Sequence, residues 1–121
     1  CWFVGWKLLK CKSVCLIGID HSWTKEDSWE TITKHGIPNK KGKINFNKDD
    51  FNKLFPKVYN PFFDCICILD PIFQYYSQGL KEFIKRSATQ LLTINATEGG
   101  CIFGKGITCM KFTKFLQNTK D

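Results

Sequence analysis

Residues 13–23 of the chain read Ser-Val-Cys-Leu-Ile-Gly-Ile-Asp-His-Ser-Trp. The apolar part of this run has no polar alternation, which predicts a strand buried on both faces, as in a parallel sheet. The run breaks at Gly18 and ends on Asp20, His21 and Ser22. Because open parallel sheets bind ligands outside the carboxyl ends of their strands, we expect the edge of a functional site at these three residues.

The segments on either side of this strand predict further helices and strands. Apolar residues at helical spacing predict a core helix over residues 2–9, which with the strand forms the back half of a βαβ unit. Asp70 followed by Pro71 is typical of a helix start, and the periodicity continues to Arg86. Residues 91–94 predict a second strand. The expected fold class is therefore α/β, with a Rossmann-like parallel sheet flanked by helices.

The end of the chain predicts a short extended piece, a turn and a helix. Residues 101–103 form a brief extended piece, and the two glycines at 104 and 106 form a turn. Residues 108–116 predict a closing helix.

Residues 24–48 are polar and charged, with only isolated apolar positions. A connection of this length suits either an active-site lid or a surface insertion, and the sequence favours neither. Residues 28–34 are compatible with a helical turn. Asn47 is a predicted N-cap, followed by a short helix over residues 48–55. Residues 56–61 begin and end with proline and predict a connector.

Length and composition suit one globular domain or part of one. The chain has 121 residues, of which 43% are hydrophobic and 24% charged. It begins with Cys1 and contains eleven Phe and four Trp, so we expect residues 1–121 to be the carboxyl-terminal half of a larger domain, with some aromatic side chains covering a contact surface. No apolar run approaches the roughly 20 residues of a membrane span, and none is expected.

The net charge of +7 suits an anionic partner such as a nucleotide, a phosphate or a membrane surface. A solvated, lysine-rich surface is the simpler explanation of the charge, since most lysines are scattered along the chain. Arg86 is the only arginine, and arginine is the usual residue for bidentate contacts to phosphate and guanine. We therefore expect no nucleic-acid partner.

The seven cysteines form no Cys-x-x-Cys pair, and no histidine lies at zinc-finger spacing from them. Several lie in apolar runs, where a free thiol behaves as a small hydrophobic side chain. This pattern predicts reduced structural cysteines, no resident metal and a cytoplasmic location.

A second polar segment follows the second predicted strand. It reads Asn95-Ala96-Thr97-Glu98-Gly99-Gly100. The glycines allow backbone to approach a ligand closely, and the polar side chains can either bind substrate or build the turn. Asn95-Ala96-Thr97 also matches a glycosylation sequon, which a strand-end position makes a chance match.

These two segments resemble motifs of one known family. Leu-Ile-Gly-Ile-Asp-His-Ser-Trp at 16–23 and Ile-Asn-Ala-Thr-Glu-Gly-Gly at 94–100 are similar to the strand motif and the Asn-Ala-Thr-x-Gly-Gly motif of the motility-associated-factor family. That family groups bacterial flagellin glycosyltransferases with proteins similar to 6-hydroxymethylpterin diphosphokinase. Phe46 with Asp50-Phe51 resembles a degenerate form of its middle motif. The family's Gly-x-Gly-Pro-Ser nucleotide loop is not among these residues.

The resemblance implies transfer of a sugar, such as a nonulosonic acid, from a nucleotide-activated donor to a flagellin or surface-glycan hydroxyl. Asp20 and His21 are the expected catalytic pair, because an acid beside an imidazole can orient a hydroxyl or take its proton. The residues expected to bind substrate or nucleotide are Ser22, Asn95, Thr97, Glu98, Gly99 and Gly100. His35 is expected to be incidental.

Two other functions stay open. The first is an ATP-dependent transfer of pyrophosphate to a hydroxymethylpterin, which requires magnesium held by carboxylates. Asp20, Glu98 and Asp70 are the carboxylates available for it. The second is a non-catalytic fragment that binds a nucleotide or docks on a partner.

Overall fold

The computed structural model describes residues 1–36 and 48–119 and has a mixed α/β fold. Three strands form a parallel sheet: β1 (Ser13–Leu16), β4 (Leu92–Asn95) and β5 (Ile107–Cys109). Their order is β1-β4-β5, so β4 lies in the centre. The antiparallel hairpin of β2 (Lys57–Asn60) and β3 (Cys65–Ile68) forms a separate two-stranded sheet.

The parallel sheet confirms the predicted α/β fold class. The burial of its strands differs from the prediction of a first strand that is buried on both faces. The apolar run that starts at Ser13 pairs only until Leu16, and Ile17 beyond it is 55% exposed. β1 is an edge strand in this sheet, and only its last residue is fully buried. The strand covered on both sides is β4, where Thr93, Ile94 and Asn95 are all buried.

Four α-helices accompany the sheets in the described part of the chain: α1 (Trp29–Gly36), α2 (Lys48–Leu54), α3 (Pro71–Ser87) and α4 (Phe112–Asn118). The Asp70-Pro71 start signal is confirmed, since the Asp70 side chain accepts the backbone N–H of Phe73 at 2.8 Å. The helix predicted after Asn47 is present, whereas Asn47 itself lies outside the described residues. So do Phe46 and the rest of residues 37–47 of the predicted lid, whereas residues 24–36 are described and contain α1.

The amino-terminal helix is less buried than expected. Residues 2–8 are helical, and Val4–Leu8 have π-helical hydrogen bonding. Trp2 is buried and donates its indole N–H to the Thr93 hydroxyl at 2.9 Å. Leu8 and Leu9, by contrast, are 71% and 70% exposed. The prediction of a core helix is therefore confirmed for Trp2 and Trp6, which belong to or pack against the core, and wrong for Phe3 and Leu9, which are exposed.

Three strands, β2, β3 and β5, were not predicted from the sequence. Residues 56–61, predicted as a connector, contain β2, which pairs with the apolar run of β3. Residues 107–109 form β5, whereas the sequence predicted a turn followed by a helix from residue 108. The closing helix begins only at Phe112, because its first residues are used as an edge strand.

The buried side chains form two clusters. One lies between the parallel sheet and α3 and includes Leu16, Ile84 and Ile102. The other joins α1, α2 and β3 through Ile32, Phe55 and Ile68. Among the described residues no helix is long and apolar enough to cross a membrane.

Candidate functional site

The two polar segments singled out in the sequence meet at one edge of the parallel sheet. Leu16 of β1 lies opposite Asn95 of β4, so both strands end at the same level. Beyond that level the Ile19 N–H donates to the Thr97 hydroxyl at 3.2 Å, and the Cys101 N–H donates to the Asp20 carbonyl at 2.8 Å. These two hydrogen bonds join the loops that follow β1 and β4.

Gly100 makes the closest approach between these loops. Its φ of +74° lies in the left-handed region, and a Cβ there would overlap the carbonyl group of Asp20. The Gly100 carbonyl accepts the side-chain amide of the buried Asn60, which comes from the end of β2. The hairpin is thereby attached to the same edge of the sheet.

A pocket of about 430 Å³ opens at this edge. Five of the eight residues expected at a site line it, namely Asp20, Ser22, Glu98, Gly99 and Gly100. Its other walls come from the segment after Ser22 and from the hairpin, with Trp23, Lys25, Glu26, Asp64, Cys65 and Cys67 among them. The pocket therefore combines both sequence segments with an element that the sequence did not reveal.

Carboxylates dominate the polar lining of this pocket. Asp20 and Glu98 are exposed, and a Cβ on Gly99 would lie 3.7 Å from the Asp20 carboxylate. Glu26 and Asp64 add two further acids, against the single ammonium of Lys25. Carboxylates accept hydrogen bonds and donate none when ionised, so this lining suits a ligand rich in hydroxyl groups.

Glu98 also has a structural contact. Its φ of +66° turns the chain, and its carboxylate accepts the backbone N–H of Phe112 at 2.9 Å, at the start of α4. This contact satisfies one of the free N–H groups at the end of the helix. Glu98 thus joins the pocket to α4.

Asn95 and Thr97 build the turn. Asn95 is fully buried, donates to the Ile102 carbonyl at 2.7 Å and accepts the Thr97 N–H at 2.9 Å. The Thr97 hydroxyl is engaged with Ile19, as described above. Neither side chain lines the pocket, and burial of the Asn95 amide within the sheet is incompatible with its glycosylation in the folded chain.

His21 and Asp20 line different cavities, although they are adjacent in sequence. His21 has a φ of +49°, stacks against Phe73 with ring centroids 6.1 Å apart, and borders a groove of about 600 Å³ along α3. Its Nδ1 atom is buried and lacks a hydrogen-bond partner within the described parts of the chain. Burial lowers the pKa of the imidazole, while the nearby charge of Asp20 opposes this shift.

Two thiols near the pocket are buried, and that of Cys67 belongs to its lining. Burial raises the pKa of Cys67 to about 11, against a smaller lowering by a hydrogen bond from Ser22. Cys101 donates to the His21 carbonyl at 3.0 Å, and its pKa is also raised by burial. Both side chains are therefore neutral near pH 7 and act as packing groups. All seven cysteines of the chain are free thiols.

The three carboxylates considered for magnesium do not converge. Asp70 is completely buried at the start of α3 and lies outside the pocket that Asp20 and Glu98 share. Across residues 1–36 and 48–119, no three His, Cys, Asp or Glu side chains are grouped to hold a metal ion. The side chains present do not fit a magnesium site of the kind that the pyrophosphate transfer requires.

Asp70 instead belongs to a cluster that sequence reasoning missed. One carboxylate oxygen accepts the Trp23 indole N–H at 2.8 Å and lies 2.5 Å from Nδ1 of His35. The rings of Trp23 and His35 both pack on Phe73. Only the N-cap signal of Asp70 is visible in the sequence. Its two side-chain partners lie 47 and 35 residues away in the sequence, and no local sequence pattern indicates these contacts.

Comparison with protein-family models, curated proteins and solved structures finds no match for this chain.

Proposed function

We propose that this chain is part of a glycosyltransferase of the motility-associated-factor type, with a Rossmann-like domain. In this proposal the protein transfers a sugar from a nucleotide-activated donor to a hydroxyl group of a flagellin or surface glycan. The observation that carries the proposal is the pocket at the carboxyl ends of β1 and β4. Asp20 and Ser22 from one resembling motif and Glu98 to Gly100 from the other line it together.

The chemistry of the lining supports a sugar ligand more than a bare phosphate. Four carboxylates against one lysine repel an anion, whereas carboxylate oxygens accept hydrogen bonds from the hydroxyls of a sugar or a ribose. The nucleotide phosphates then lie toward Lys25 or outside the pocket. Ser22 adds a hydroxyl that can both donate and accept.

Asp20 is the proposed general base of the transfer. Its carboxylate takes the proton of the acceptor hydroxyl, whose oxygen forms a bond to the anomeric carbon of the donor. The bond from that carbon to the phosphate oxygen breaks, and the nucleotide leaves with the electron pair. His21 borders another cavity, so the proposal assigns the proton transfer to Asp20 alone.

The proposal is tested by thermal-shift titrations of the chain with CMP, UDP and ATP, each with and without Mg²⁺. Binding to the folded state raises Tm, by an amount equivalent to about 2.7 kcal/mol when the ligand is at 100 times its Kd. We expect a saturable rise with CMP or UDP that does not depend on Mg²⁺. We also expect Asp20→Asn and Glu98→Gln to weaken it.

Glu82→Gln is the matched control, because it removes an exposed carboxylate of α3 that does not line this pocket. A response to ATP only with Mg²⁺ would replace the proposal with the pyrophosphate transfer. No response to any nucleotide, from a chain shown to be folded by circular dichroism, would leave a non-catalytic docking fragment as the function.

A further inference from the structure

Asp70 is a fully buried carboxylate surrounded by N–H groups. Its Oδ1 accepts the Phe73 backbone N–H at 2.8 Å, and its Oδ2 accepts the Trp23 indole N–H at 2.8 Å. The same Oδ2 lies 2.5 Å from Nδ1 of His35. A buried charge is stable only when it is paired and hydrogen-bonded, and these three contacts supply that compensation.

These contacts determine the tautomer of His35. An ionised carboxylate only accepts hydrogen bonds, so the proton between the two groups belongs to Nδ1 of the imidazole. A neutral ring with its proton on Nδ1 carries a lone pair on Nε2. The Asp70 carboxylate therefore orients the ring and leaves Nε2 as the basic atom, as a carboxylate does in a hydrolase triad.

The ring is also held mechanically. It stacks on Phe73 with centroids 5.1 Å apart and meets Trp23 edge-on at 5.2 Å. Trp23 is itself fixed, since its backbone N–H and C=O both pair with Ile68 of β3 at 2.8 Å. An imidazole with this many contacts loses little entropy when a ligand binds, which is what a positioned proton acceptor requires.

His35 borders a cavity. Its side chain is 40% exposed while its Asp70 partner is completely buried, so the exposed part of the ring lies away from the contact between Nδ1 and Asp70. The cavity has a volume of about 370 Å³ and is also bordered by Trp23, Glu30, Thr31 and Lys34. Within the described residues, this cavity gives a small ligand a route to the imidazole.

The second histidine provides a contrast within the same chain. His21 also stacks on Phe73, but its Nδ1 atom is buried and has no hydrogen-bond partner in the described residues. Both imidazoles border a cavity, and in the described residues His35 is the one whose ring nitrogen contacts a carboxylate.

We infer that His35 is a proton-accepting catalytic residue for a hydroxyl-bearing substrate in this cavity, with Asp70 as its positioning residue. The site goes beyond the proposed function, because it lies in a different cavity and requires no nucleotide. In its step, Nε2 takes the proton of an O–H group, and the oxygen uses the freed electron pair to form a bond to an electrophilic carbon. The bond from that carbon to its leaving group then breaks. The imidazolium that forms lies beside the Asp70 carboxylate and returns the proton to the leaving group.

Hydrolysis of p-nitrophenyl acetate tests this site without knowledge of the natural substrate, with water as the hydroxyl nucleophile and p-nitrophenolate as the leaving group. We expect the chain to hydrolyse this ester faster than an equal concentration of N-acetylhistidine, and more slowly in D₂O than in H₂O. His35→Asn keeps an amide donor for Asp70 and removes Nε2, and we expect it to lose at least about 10-fold of the rate.

Asp70→Asn tests the positioning role, with Asp49→Asn on the exposed start of α2 as its matched control. We expect the first to lower the rate and the second to leave it unchanged. Circular dichroism checks that each variant is folded, and His35→Asn decides the matter if Asp70→Asn is not. A rate equal to that of N-acetylhistidine, or full activity in folded His35→Asn, would overturn the inference.

Discussion

Gly100 lies directly against the main chain of Asp20, at a distance that leaves no room for a side chain between them. The Cys101 N–H that follows Gly100 donates to the Asp20 carbonyl at 2.8 Å. Two loops that are 80 residues apart in sequence are joined at this point. The pocket exists because this junction brings the ends of β1 and β4 into contact.

Gly100→Ala should destabilise the chain by about 2–4 kcal/mol, since it combines a positive φ with overlap against backbone atoms that cannot move independently. Gly79→Ala is the control. Gly79 is exposed within α3 and has open space around its Cα, so alanine there should add about 0.5–1 kcal/mol of stability. Urea unfolding measures both. Equal stability of the Gly100→Ala and wild-type chains would contradict the close junction.

The Asn95 turn can be tested by Asn95→Asp. The substitution removes the N–H group that donates to the Ile102 carbonyl at 2.7 Å and places a carboxylate oxygen against that carbonyl. Because Asn95 is completely buried, we expect a loss of about 3 kcal/mol in the free energy of unfolding. Thr97→Ser keeps the hydroxyl that accepts from Ile19 and should cost less than about 1 kcal/mol. A small cost for Asn95→Asp would mean that this amide does not hold the turn.

The strand ends and the α3 start were predictable because local chemistry determines them. An apolar run that stops at a glycine and polar residues marks a strand end, and Asp70 before Pro71 marks a helix start, without any knowledge of the partners. Gly79 within α3 shows the limit of such reasoning, because a glycine in a helical pattern is compatible with a close packing contact, whereas the structure leaves open space around it. A glycine in a helix records only a missing side chain.

Other features depend on partners that are distant in sequence. The strand β5 has only three residues, and its pairing with β4 overrides the helical pattern that continues from residue 108. β1 is an edge strand because it pairs only with β4. Its apolar run does not indicate how many strands pair with it. The meeting of Trp23, His35 and Asp70 likewise requires the tertiary fold. The sequence therefore predicted the polar strand ends, but it did not predict the contact between His35 and Asp70.

Trp23→Phe tests the Asp70 cluster through stability alone. The variant keeps an aromatic ring on Phe73 and removes the indole N–H that donates to Asp70 at 2.8 Å. Since Asp70 is completely buried, loss of this donor should cost about 1–3 kcal/mol. Trp29→Phe is the control, because Trp29 is 46% exposed, and it should cost less than about 1 kcal/mol. Similar costs for the two variants in urea unfolding would count against the role of this donor.

His21 should make the stability of the chain depend on pH. Burial lowers its pKa in the folded state from 6.5, so the unfolded chain binds the proton more readily. The stabilisation is therefore complete above about pH 6.5, and it decreases as the pH falls toward the folded-state pKa. The charge of Asp20 opposes the shift, and the carboxylate of Glu82 borders the same groove.

The measurement is the free energy of unfolding at a series of pH values between about 7.5 and 5.5, for the wild-type chain and for His21→Asn. Asparagine accepts the left-handed backbone at position 21 and does not titrate. His35 is present in both proteins, so its contribution cancels in the comparison. We expect the variant to lose less stability than the wild type as the pH falls. The reason is that it lacks the His21 imidazole, whose protonation favours the unfolded state. Identical slopes would show that the His21 ring is not desolvated in the folded chain.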